Sequence, residues 1–160
     1  MRNGLFRRHR GQSMVEFAVL SPVFFLLLLG TIDLGRAVYT YNAISNAARE
    51  GARAAVPYDS PLPTTASVVA AVQSKLGGGF TLTLDTLCAG VAAGGSCPTV
   101  PTVPNTGFIW YGPGIGQVTG SPHPVSVKIT FLFQPWVPVV RDASGNGVTF
   151  SAQTTMETEY

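Results

Sequence analysis

Residues 7–36 read RRHRGQSMVEFAVLSPVFFLLLLGTIDLGR. A short basic head ends at Gly11. An apolar run then extends from Met14 to Ile32, broken only by Glu16, Ser21, Pro22, Gly30 and Thr31. A helix over that run spans about 28 Å at 1.5 Å per residue, close to the thickness of a bilayer's hydrocarbon core. Pro22 removes one helical hydrogen bond, which membrane helices tolerate when a nearby hydroxyl helps, and Ser21 is adjacent. The stretch predicts one membrane-spanning helix. Glu16 stands near its start. An ionised carboxylate inside the bilayer costs about 2.5–3.5 kcal/mol even on lenient scales, so this acid is a functional candidate.

Charge placement sets an orientation. Arg2, Arg7, Arg8 and Arg10 all precede Gly11, whereas the rest of the chain holds six Lys/Arg against eight Asp/Glu, a net of −2. Arginines on one flank favour the cytoplasmic side, so the C-terminal part is expected outside, with the chain in the cytoplasmic (inner) membrane. Only 11% of residues are charged, where a soluble domain carries about a quarter. The basic character belongs to the head alone. No basic stripe interleaved with aromatics follows it, which argues against a nucleic-acid partner. A cleavable secretory signal fits poorly. The apolar run is long for one, and Gly35-Arg36-Ala37 puts a large charged residue between the small ones.

The helical pattern continues beyond the membrane. Residues 37–56 contain no proline, and Val38, Tyr41, Ile44, Ala48, Ala52 and Ala55 recur at spacings of three and four. Gly51 is the weak point, costing about 1 kcal/mol against alanine in a helix. Asp33 with Arg36 and Glu50 with Arg53 have the spacing of ion pairs on one helical face. Asn46, Arg49, Glu50 and Arg53 are expected to help dock the helix on the rest of the protein, and Pro57 stops it. One helix over residues 13–56 is thus expected, about 66 Å long.

These residues resemble the class III signals of type IV pilin-like proteins: a basic leader, a cut after glycine, and a glutamate five residues past the cut. The fuller string from Gly11 to Val56 is similar to the TadE-like pseudopilins (minor pilins) of the tight-adherence, or Flp, pilus system. Gly-Gln-x-x-Val-Glu-Phe, the mid-helix proline, Asp-x-Gly-Arg and Asn-Ala-Ala-Arg-Glu-Gly-Ala-Arg occur in that order. The resemblance implies a prepilin peptidase acting between Gly11 and Gln12. It also implies partnership with other pilins, pseudopilins and the pilus assembly machinery, in adhesion and surface attachment. Elementary electrostatics fits this. A cut there discards four arginines and creates an amine at Gln12, which Glu16 of an adjacent copy could neutralise, because buried charge must be matched. The alternative is an unprocessed single-pass membrane protein with an extracytoplasmic binding domain.

The expected organisation is a leader (1–11), a membrane segment (12–35), a continuing amphipathic helix (36–56) and an extracytoplasmic domain (57–160). In the last, Thr64 or Thr65 can cap a helix over Ala66–Leu76. Strands are expected at residues 80–85, Gly107–Tyr111, Val125–Phe133 and Val148–Tyr160, and a turn-rich connection at Gln134–Gly147. The fold class is α+β, pilin-like, with the long helix packed on a small antiparallel sheet. Cys88 and Cys97 can close a short disulfide loop if this domain lies outside the cytoplasm; in a reducing compartment they would be free thiols. No metal-ligand set, phosphate loop or nucleophile motif is present in the sequence, so neither a cofactor nor an enzymatic role is expected. Asp85, Asp142, Glu157 and Glu159 read as surface acids, and His123 is given no role.

Overall fold

A computed structural model describes residues 9–58, 60–77, 79–91, 100–118, 120–145 and 147–160. The basic head up to Arg8 and Cys97 lie outside the described residues. The fold is α+β. Helix α1 (His9–Ala54) runs 46 residues without a break, starting earlier than expected and ending two residues sooner. Pro22 cannot donate to the carbonyl of Ala18, one turn back. The Ser21 hydroxyl donates to that same oxygen at 3.4 Å, so the helix passes the proline. Thr31 donates likewise to the carbonyl of Leu27 at 2.8 Å.

Helix α2 (Thr65–Lys75) begins with a capping box. The Thr64 hydroxyl accepts from the Ser67 backbone N–H, and the Ser67 hydroxyl accepts from that of Thr64. Strands β1 (Thr81–Leu84), β2 (Thr106–Tyr111) and β3 (Pro124–Phe133) follow, then helix α3 (Pro138–Ala143) and strand β4 (Val148–Glu157). The sheet order is β1-β2-β3-β4. The sheet is mixed, correcting the expected antiparallel one. β1 runs parallel to β2, with Thr81 opposite Thr106 and Leu84 opposite Ile109, while the other two pairings are antiparallel. The reason is connection length. Residues 85–105 separate β1 from β2, enough chain to return to the starting edge, which a hairpin does not do. The connection expected to be turn-rich also holds α3, a short helix.

Most of the sheet's inner face lies on the outer half of α1. Ile44, Ala47, Ala48, Ala52 and Ala55 are fully buried there against Val125, Val127, Ile129 and Phe131. Val38 and Tyr41, expected on the same stripe, are about half exposed; at this lower level Thr40 and Ala37 turn inward in their place. Gly51 is the point of closest approach. A Cβ there would lie 2.5 Å from Val72 Cγ2 of α2 and 3.2 Å from Val127 Cγ1 of β3. Gly51 therefore gives up helix propensity so that a second helix and a strand can both reach α1.

The C-terminus returns to the top of α1. The Tyr160 hydroxyl donates to the carbonyl of Ala55 at 3.0 Å and accepts from the Gly116 N–H at 3.0 Å. The Glu159 N–H donates to the carbonyl of Val56 at 3.1 Å. Carbonyls at a helix end lack partners within the helix, and the tail supplies them. Asp85, read as a surface acid, is buried. Its carboxylate accepts from the N–H groups of Leu87 and Cys88 in a tight turn after β1. Gly51→Val should lower the stability of the C-terminal domain by about 1–3 kcal/mol through overpacking. Thermal unfolding followed by the fluorescence of buried Trp110 measures this, and an unchanged midpoint would contradict the close approach.

Candidate assembly site

Two regions of α1 carry the residues singled out above. The first is its N-terminal turn. Gly11, Gln12 and Glu16 are all exposed, and nothing lies within 4 Å of the position a Gly11 Cβ would take. Gln12 and Glu16 are four residues apart and share a face, with Gln12 Nε2 donating to Glu16 Oε1 at 3.3 Å. Among the described residues no cation lies within ion-pair distance of Glu16. Around it, Met14, Val15, Phe17, Val19 and Leu20 are each more than 60% exposed. The arrangement is one carboxylate on an otherwise apolar, unpartnered helix surface. The apolar window of α1 has mean hydropathy 2.2 with none of it buried, so α1 is long and apolar enough to cross a membrane once.

The second region is the junction at Asp33-Leu34-Gly35-Arg36. Asp33 is 5% exposed. Its Oδ2 accepts the N–H groups of Trp136 at 2.9 Å and Val137 at 2.8 Å, the entry to α3. Its Oδ1 accepts from Arg36 Nη1 at 3.0 Å, and the Arg36 guanidinium lies over the Trp136 ring, 3.7 Å from its centroid. The sequence led to the Asp33–Arg36 pair. It carried no sign of Trp136 or Val137, about a hundred residues later in the chain and reached only through backbone groups.

The polar residues expected to dock α1 do otherwise. Asn46, Arg49 and Arg53 are exposed and Glu50 is half-buried. Among the described residues the ion pairs are Asp33–Arg36 and Arg141–Asp142, so Glu50 and Arg53 do not pair. The small residues between them make the contact with the sheet instead. Cys88 is buried and is not a free thiol, and the pairing expected with Cys97 falls outside the described residues. His123 is half-buried. Its Nε2 lies 2.9 Å from the Gly114 carbonyl and its Nδ1 3.1 Å from Thr158 Oγ1, which ties a loop to the C-terminal tail.

Asp33→Ala leaves two N–H groups and Arg36 without their acceptor. It should cost about 1.5–3 kcal/mol, the range for hydrogen bonds to a charged group. Asp33→Asn keeps one acceptor oxygen and should lose less. Hydrogen exchange at the Trp136 and Val137 amides reads this directly; protection equal to the parent chain in Asp33→Ala would refute the junction.

No curated protein and no solved structure gives a match to this chain. A family model does match, that of the TadE-like proteins, over residues 11–53. The matched stretch starts at Gly11, ends one residue short of the end of α1 and includes both regions described above, but none of the sheet. Over that stretch the chain is similar to the TadE-like proteins.

Proposed function

We propose that this chain is a pseudopilin or minor pilin, cut after Gly11 by a prepilin peptidase and required for assembly or function of a Flp/Tad-type pilus in adhesion and surface attachment. The observation that carries the proposal is the lone carboxylate of Glu16 on an apolar helix surface, five residues past Gly11, inside the TadE-like stretch. The chain spans the inner membrane over residues 12–35, its N-terminus in the cytoplasm and its C-terminal domain outside. Residues 1–11 are the leader. Its role is structural, needing neither cofactor nor catalytic group. Outside the cytoplasm Cys88 and Cys97 form a disulfide, and the short loop it closes contributes about 2–3 kcal/mol on the entropic model.

Cutting after Gly11 turns Gln12 into a charged amine. Four residues of helix place that amine about 6 Å from the level of Glu16. Two parallel copies offset by that rise bring the amine of one level with Glu16 of the other. In hydrocarbon the matched pair is tolerated, whereas either charge alone is strongly disfavoured. The pair therefore sets axial register as well as attraction. A second reading, the unprocessed single-pass protein with an extracytoplasmic binding domain, draws support from α1 itself. The helix begins at His9 and runs through the Gly11–Gln12 bond, and a protease needs extended backbone. Glycine weakens that first turn, so opening it costs little.

The intact mass of the protein isolated from cells with an active prepilin peptidase should correspond to a chain starting at Gln12; a start at Met1 would favour the second reading. Glu16→Ala should leave cleavage intact and sharply reduce incorporation into pili, scored by immunoblotting of sheared filaments. Normal incorporation of that variant would count against charge pairing.

A further inference from the structure

The underside of the C-terminal domain meets α1 at the level where its apolar run ends. The two bonds to Asp33 hold Trp136 and Val137 beside that residue, one position beyond Ile32. An apolar cleft of about 360 Å³ opens there, with Gly30, Leu34 and Ala37 on the helix side and Val140, Val148 and Phe150 on the domain side. Of the side chains lining it, Val140 is exposed by 41%, Val148 by 42% and Leu34 by 65%; on the adjoining turn Val139 is exposed by 63% and Trp136 by 67%, the latter lining a second cleft with Arg36 and Tyr39. In water such a cluster is unfavourable, and a contiguous apolar patch marks a contact surface.

Geometry selects the occupant. A spanning helix needs about 20 apolar residues, and the run from Met14 to Ile32 supplies no surplus. The bilayer boundary therefore falls within a turn of Ile32, and the domain cannot rise clear of it while Asp33 holds Trp136 and Val137. Tryptophan favours the membrane interface, with its ring at the headgroup level and its N–H toward water. Arg36, stacked on that ring, puts a cation at headgroup level.

We propose that Trp136, Val139, Val140 and Val148 form a membrane-contact foot, seated in the interfacial layer of the bilayer that α1 crosses. The proposal rests on α1 being membrane-spanning. The foot gives the domain a second point of contact with the lipid, so helix and domain stand on the membrane in one attitude instead of tilting together about the spanning segment.

The test uses the full chain reconstituted in phosphatidylcholine–phosphatidylglycerol vesicles. The chain has two tryptophans, and Trp110 is buried at 4% exposure. The difference between parent and Trp136→Phe isolates the Trp136 signal. Lipids spin-labelled near the headgroup end of the acyl chain should quench that signal at least about twofold more strongly than lipids labelled near the chain terminus, as expected of an interfacial ring. Aqueous acrylamide should quench it only weakly. Strong acrylamide quenching with no response to either lipid label, in protein that floats with the vesicles, would overturn the foot and leave the membrane helix standing. Protein that fails to float would overturn both. Shielding from acrylamide that grows with protein-to-lipid ratio, without lipid quenching, would assign the surface to a second copy and overturn the proposal.

Discussion

Close approach of a helix to a sheet is the constraint on which this structure depends. α1 has to pass through two surroundings. Its inner half offers large apolar side chains on all sides, and α1 is long and apolar enough to cross a membrane. Its outer half must hold a sheet and a second helix against one face while keeping the opposite face polar. Ala47, Ala48, Gly51, Ala52 and Ala55 make this possible. Side chains this small contribute little burial energy of their own. They let the large residues of the sheet, Phe131, Ile109 and Ile129, be buried completely, and each such side chain is worth about 1.5–3 kcal/mol.

Asp33 then sets where along the helix the domain stops. A carboxylate that leaves water needs strong partners, and it finds two backbone N–H groups and one guanidinium. The bonds come from residues entering α3, so a turn of helix deep in the C-terminal half is tied to the end of the apolar run of α1. The tail ties the opposite end, through Tyr160 and Glu159 onto the last turn of α1. Between these two attachments the outer half of α1 is a wall of the domain. A displacement of α1 would therefore be felt by the domain.

The sequence motifs sort into two physical kinds. Among the described residues Gly11, Gln12 and Glu16 have no tertiary partners, which leaves them available to other molecules. Asp33, Gly51 and the alanines around it are consumed by the fold. The Asn-Ala-Ala-Arg-Glu-Gly-Ala-Arg string mixes both kinds. Its small residues face the sheet, and Asn46, Arg49 and Arg53 face outward.

Local chemistry was enough to read much of this from the sequence. Hydrophobic period and length marked α1, Thr64 or Thr65 marked the start of α2, and alternation marked β3 and β4, since each signal acts within a few residues. The contrast of an apolar run with a single acid was legible for the same reason. Tertiary structure decided what depends on residues distant in the chain. The parallel pairing of β1 with β2 follows from the path of a long connection. The burial of Asp85 follows from a turn tightened against a ladder. The partners of Asp33 are backbone groups, which every residue carries, so no side-chain pattern could announce them. Gly51 shows the difference most plainly: as sequence it is a weak position in a helix, and only the approach of α2 and β3 makes it the residue that fits.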